Sequence, residues 1–147
     1  MQGKIQGKTK ENVPSNWWNP REFAQKKPNL AVRSQIMRAI RRYFDDQGFE
    51  AVETPILQTC PVIDTHIRAF ATDLRGVDGA VKETAYLHTS PEFDMKKLMV
   101  AGQEIGMDKI YQICPVFRNA EGSKRHRCEF TLAEWYRTQA DLSLIHI

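Results

Sequence analysis

Apolar side chains recur at helical spacing through the first part of the chain and alternate with polar ones through the second. From about Leu30 to Gln47, Val32, Ile36, Ile40, Tyr43 and Phe44 return every three or four positions, with Arg33, Arg38, Arg41 and Arg42 largely between them. That is the pattern of an amphipathic helix. Asn29 stands where an N-cap belongs, and Gly48 where a left-handed residue ends a helix. Upstream, Asn19-Pro20-Arg21-Glu22 supplies the cap, first-turn proline and acidic partner of a separate short helix. The adjacent Trp17 and Trp18 are expected to pin that segment to the body. Residues 1–16 are polar without a sustained period and are expected to form a disordered tail.

After Gly48 the pattern changes. Phe49 to Pro55 reads as extended chain, because Pro55 biases Thr54 away from helix. Thr65 to Leu74 is rich in β-branched and aromatic positions, Arg75 to Gly79 is a turn, and Tyr86 to Thr89 is a second strand. Ser90-Pro91-Glu92 opens a helix, with Ser90 as cap and Pro91 at its first position, ending near Gly102. Lys109 to Phe117 and Glu129 to Arg137 are two strands around the polar loop Arg118–Cys128. On the second, Phe130, Leu132, Glu134 and Tyr136 share one face, and Glu129, Thr131, Ala133, Trp135 and Arg137 the other. The fold class is α+β, a mainly antiparallel sheet with flanking helices.

Composition narrows the reading. The 147 residues are 41% hydrophobic and 27% charged, ordinary values for one globular domain. The formal net charge of +3 is unevenly placed: residues 1–30 carry +4 and the remainder −1. The folded part is therefore a poor candidate for a nucleic-acid surface. No apolar run approaches the ~18 residues of a membrane span, and a cytoplasmic location is expected. Cys60, Cys114 and Cys128 are odd in number and lack zinc-ligand spacing, which suits a reducing compartment. His66, His88, Asp64 and Asp73 form no recognised ligand pair, so no metal site is expected from the chain's own residues.

The stretch from Phe117 to Phe130 is the richest in candidate chemistry. Arg118 at a strand end, with Lys124, Arg125, His126 and Arg127 in the loop, suits phosphate oxygens. The Phe130–Glu134–Tyr136 face offers a ring to stack a base and a carboxylate and phenol to bind an ammonium group. The same residues also describe a hairpin with a solvated charged loop and a half-buried face. Ser90 has no Asp-His partner and Glu92 is explained by its place in a first helical turn.

Gly48-Phe49-Glu50-Ala51-Val52-Glu53-Thr54-Pro55 after a long amphipathic helix resembles motif 1 of the class II aminoacyl-tRNA synthetases. Phe117-Arg118-Asn119 through Glu129-Phe130-Thr131-Leu132-Ala133-Glu134-Trp135-Tyr136-Arg137 resembles motif 2. Thr89-Ser90-Pro91-Glu92-Phe93, Met95-Lys96-Lys97-Leu98 and Glu134-Trp135-Tyr136-Arg137 are similar to the lysyl branch, and most to its elongation factor P lysine ligases. The resemblance implies activation of lysine or β-lysine by ATP, with Mg²⁺, and ligation to a lysine of elongation factor P. It implies that Arg118 holds the α-phosphate as the catalytic residue and that Phe130 stacks on adenine. Asn119, Ala120, Glu121 and Arg127 fall in the ATP-binding stretch. Ser90, Pro91, Glu92, Glu134 and Tyr136 fall in the amino-acid pocket. Motif 1, with Pro55, implies a homodimer.

Two departures stand out. The family's Arg-Asn-Glu reads Arg118-Asn119-Ala120, with Glu121 one place late, and Arg127 replaces an ATP-binding asparagine. Motif 3 does not follow, and no anticodon-binding barrel precedes the first helix. Residues 17–147 are therefore read as the N-terminal part of a catalytic domain, inactive alone, for which transfer RNA is a less fitting acceptor than elongation factor P. A lysyl-tRNA synthetase fragment and a non-catalytic nucleotide- or partner-binding module are the alternatives.

Overall fold

The computed structural model describes residues 18–60, 65–119 and 126–140. The expected tail, Trp17, Asp64, and Ala120, Glu121, Lys124 and Arg125 lie outside the described residues. The chain divides into two units, one ending at Arg42 and the other beginning at Tyr43.

Helix α1 spans Pro20–Asp46, so one helix replaces the two predicted. Asn19 caps it: its side-chain oxygen accepts the Arg21 N–H at 3.0 Å. Asn29 is interior instead of a cap. Pro28 inside the helix has no N–H for the carbonyl one turn back. The helix formers on either side (Ala24, Gln25, Lys26, Lys27, Leu30 and Ala31) carry the helix through that missing bond. Trp18, expected as an anchor, is 63% exposed. The apolar stripe is a correction too, since Phe44 is buried but Val32, Ile36 and Tyr43 are exposed. Periodicity reports that a helix has an apolar face, not that a partner covers it. Among its described residues the first unit holds no element besides this helix. No described helix is long and apolar enough to cross a membrane.

The second unit begins in the last turn of α1. Gly48, at φ 72°, turns the chain out of the helix, and its N–H reaches the Asp45 carbonyl at 3.0 Å. Strand β1 (Glu50–Ala51) follows, then β2 (Leu57–Gln58), β3 (Phe70–Arg75), β4 (Val81–Leu87), helix α2 (Glu92–Gly102), β5 (Lys109–Phe117) and β6 (Glu129–Arg137). They form two three-stranded sheets, ordered β1-β5-β6 and β2-β4-β3. Every pairing is antiparallel except β1 with β5. Strand β2 was not expected, and β4 begins at Val81, ahead of the predicted Tyr86. Val81 to Thr84 are exposed, so no alternation marks them.

The last two strands have the predicted bounds. They pair without a bulge from Lys109↔Arg137 to Phe117↔Glu129. Directly opposed residues share a face, so each side chain of β6 is assigned a side. On one face Phe44 stacks on Tyr111 with ring centres 4.6 Å apart, beside Trp135 and Phe49. On the other, Met95 and Met99 of α2 pack with Ile110, and Tyr136 lies against them. Helix α2 starts one residue later than expected, with Pro91 at the cap position, but Ser90 Oγ still accepts the Glu92 N–H at 3.2 Å.

After Gly102 the chain tightens into a 3-10 turn over Gln103–Ile105, turns at left-handed Gly106, and packs Met107 back against Gly102. A Cβ there would come within 2.6 Å of the Met107 Cβ. Gly102→Ala is expected to cost about 1–3 kcal/mol, as overpacking does. The urea midpoint reports the loss; an unchanged midpoint would show that the turn yields freely.

Candidate functional site

The β5–β6 ladder sets one face of the sheet as the candidate site. Arg118 directly follows β5, on the side of Val116 and its partner Phe130. Its N–H donates to the Cys128 carbonyl at 2.8 Å, closing the hairpin base. Its side-chain Nε donates to the Thr89 carbonyl at 3.3 Å, and the guanidinium carbon lies 5.1 Å over the Phe130 ring centre. The stack and the Nε contact orient the group, and its terminal nitrogens keep no protein partner among the described residues. A half-buried guanidinium in that state is a preorganised donor for an anion. Next to it, the Asn119 N–H donates to Arg68 at 2.6 Å, which ties the hairpin base to the chain leading into β3.

The other end of the face is acidic. Tyr136 donates its phenol hydrogen to Glu134 Oε1 at 2.6 Å. Burial pushes the Tyr136 phenol well above the ordinary tyrosine range; the bond to Glu134, that residue's charge and the charge of Glu92 add to the shift. Glu92 therefore belongs to the same neighbourhood. It stands in the first turn of α2 and pairs with Lys96 at 2.5 Å, a largely solvated i,i+4 contact of small energy. Ser90, Pro91 and Glu92 lead into α2, with Pro91 buried. This end presents carboxylate oxygens to a cation.

Of the remaining predicted residues, Asn119 and Arg127 are exposed, as is His126. Ala120 and Glu121 lie outside the described residues. Cys114 is buried, and burial pushes its thiol up; the bond to Gln112 opposes the shift and the charge of Glu134 adds to it. A thiol held protonated is a core side chain, not a nucleophile. Among the described residues no group of three or more His, Cys, Asp or Glu side chains could hold a metal. His66 is exposed, and Asp73 pairs with Arg75 at 3.0 Å.

Sequence reasoning missed the residues beneath the site. His88, weighed only as a metal ligand, is buried, with Nε2 2.7 Å from the Pro115 carbonyl. Buried Thr54 donates to Gln112 at 3.0 Å, bracing β5 from the motif 1 segment. The available signal for His88 was Pro115, a proline inside a strand, which needs a special neighbour.

Comparison with known proteins gives the family. The family model for tRNA synthetases class II (D, K and N) matches residues 18–146. A relative from Haemophilus ducreyi, named elongation factor P--(R)-beta-lysine ligase, is 42% identical over 125 residues, 85% of this chain and 36% of its own length. Bearers of the same name include a relative from Actinobacillus succinogenes, 41% identical over 85% of the chain and 36% of its own length. A third, from Mannheimia succiniciproducens, is 43% identical over 77% of the chain and 34% of its length. The chain thus spans about a third of the relatives it matches.

The Tyr136 shift carries a pH consequence. An acid whose folded pKa is raised binds its proton more tightly in the native state, so stability is full below the ordinary tyrosine range. Above that range the unfolded chain releases the proton first, and stability falls. Tyr136→Phe is expected to flatten this alkaline loss above about pH 10, measured as melting temperature against pH. An equally steep loss in the variant would contradict the shift.

Proposed function

The chain belongs to the class II tRNA synthetases (D, K and N), and on that premise we propose that it is the motif 1 and motif 2 part of an ATP-dependent ligase for elongation factor P. The carboxylate of lysine or β-lysine attacks the α-phosphorus of ATP, giving an aminoacyl-adenylate and pyrophosphate. A lysine amine of elongation factor P then attacks the activated carbonyl, and AMP leaves. The observation that carries the reading is the division of one sheet face. An oriented guanidinium, Arg118, stands at one end, and the hydrogen-bonded Glu134–Tyr136 pair at the other. A substrate with a phosphate at one end and an ammonium at the other matches that division.

The residues have separate parts in this scheme. Arg118, its terminal nitrogens uncommitted among the described residues, meets the α-phosphate and the charge that grows as pyrophosphate departs. Phe130 supplies an adenine-stacking ring, and Asn119, Ala120, Glu121 and Arg127 border the nucleotide. Glu134 and Glu92 receive ammonium groups, and Tyr136, Ser90 and Pro91 shape the pocket around them. Tyr136 stays a neutral donor at physiological pH, as an ordinary phenol does, and burial moves its titration further away. The negative charge of this end therefore rests on the carboxylates. Mg²⁺ accompanies ATP and neutralises phosphate charge when bound. The active form is a cytoplasmic homodimer.

The full-length protein carrying this segment is expected to catalyse pyrophosphate exchange with lysine or (R)-β-lysine, and to pass the label to elongation factor P. Efficient labelling of transfer RNA instead would mark a lysyl-tRNA synthetase, and failure to bind ATP would mark a non-catalytic module. Arg118→Ala is expected to lower the exchange rate about 10²–10³-fold, the scale for removing one oriented donor. Wild-type exchange in that variant would refute its role.

A further inference from the structure

We propose that His88 is a positioning residue for Arg118, standing in for a missing neighbouring strand along β5. The inference rests on the adenylate-forming reading above and adds a residue to it. Strand β1 covers only Ile110 and Tyr111 of β5, with Val52 N–H reaching the Tyr111 carbonyl just beyond at 2.9 Å. Past that point the same edge continues toward Phe117. In an antiparallel ladder, the N–H and C=O of one residue point to the same side, and successive residues alternate. Arg118 N–H bonds across to Cys128, so Phe117 and Pro115 turn their backbone groups away from β6. Pro115 has no N–H, so past Ile113 that edge offers a lone carbonyl and then the Phe117 N–H.

His88 satisfies both. Its ring Nε2 lies 2.7 Å from the Pro115 carbonyl, and a carbonyl only accepts, so Nε2 carries the hydrogen. Its own carbonyl accepts the Phe117 N–H at 3.0 Å, and its N–H donates to the Ile56 carbonyl at 2.9 Å. These three hydrogen bonds, with the Cys114 sulfur 3.9 Å from Nε2, hold a residue that is 1% exposed. They fix the peptide that follows, and its Thr89 carbonyl is the acceptor for Arg118 Nε. One residue further, Ser90 Oγ accepts the N–H of Glu92. The segment 88–92 is therefore a strap from the guanidinium end of the face to its acidic end, anchored at His88.

Stability alone is a poor reason for this choice of residues. His88 Nδ1 and Thr89 Oγ1 are buried without a hydrogen-bond partner among the described residues. An apolar pair would avoid that penalty. What histidine adds is an N–H at the reach of the Pro115 carbonyl, with a backbone still free to serve Phe117.

Two amide substitutions separate reach from chemistry in the full-length protein. His88→Gln keeps an N–H near the Nε2 position, whereas His88→Asn offers the same group too short. His88→Asn is expected to lower kcat for pyrophosphate exchange by about 10²-fold, the scale of a misplaced catalytic group, with KM for the amino acid little changed. His88→Gln is expected to retain kcat within about tenfold. Nuclear magnetic resonance supplies a readout independent of turnover: the Arg118 Nε–H signal, identified by its loss in Arg118→Lys. Its exchange with water is expected to be slow in the wild type and in His88→Gln, and at least about tenfold faster in His88→Asn. Equal protection of that hydrogen in both variants overturns the proposal, as does a folded His88→Gln that has lost it. If the wild type exchanges no pyrophosphate with either amino acid, the functional reading fails. The Nε–H protection then still decides the positioning claim.

Discussion

The unbroken register between β5 and β6 is the constraint on which the rest of this structure depends. Nine opposed pairs, with no bulge among them, hold the alternation of side chains along the hairpin. A slip of one residue would carry Phe130, Glu134 and Tyr136 to the face of Trp135 and bring Thr131 and Arg137 to theirs. The ladder also sets the spacing of the site. Arg118 and the position opposite Glu134 are six residues apart on β5, about 20 Å of strand. The oriented guanidinium and the carboxylate pair therefore stand well apart along the strand.

That ladder needs support on both faces and on its outer edge, and different sequence signals supply each. Phe44, Phe49 and Tyr111 close the aromatic face, and Met95 and Met99 cover the Ile110–Tyr136 end of the other. The outer edge has only two residues of β1, and His88 takes over where they end. A proline argues against a central strand when every edge position must donate. Pro115 is tolerated because its imino nitrogen falls on the side where no ladder bond is required of it.

The elements that local pattern could identify were those whose faces differ in solvent contact. Lys109–Phe117 and Glu129–Arg137 were bounded correctly because each residue's burial follows its parity or the strand's central place. Gly48 and Gly102 marked real helix ends through backbone geometry and close approach. Val81 to Thr84 escaped notice because exposure on both faces leaves no alternation. The division of α1 at Asn29 failed for another reason: a capping residue and a proline argue locally for a break, but neighbouring turns propagated the helix. In the site, Arg118, Phe130, Glu134 and Tyr136 were visible as residue types on one strand pair. His88 was not, because its partners are carbonyls and an N–H from β5 and the Ile56 turn, which no local window contains.

The division of charge along the face explains why the carboxylates and the guanidinium do not cancel each other. Arg118 is oriented by the Thr89 carbonyl and the Phe130 ring, both neutral, so among the described residues its positive charge is not spent on an ion pair. Glu134 takes a hydrogen from Tyr136, a neutral phenol, so that contact orients the carboxylate without neutralising it. Glu92 does have a cation, Lys96, but the pair is largely solvated and weak, so exchanging that partner costs little. Neutral partners thus orient the charges that must remain available, and a solvated partner holds the one that can be exchanged. A face built this way keeps opposite charges apart on a rigid strand pair, and in the proposed reaction the phosphate and the ammonium of the substrate meet different ends of it.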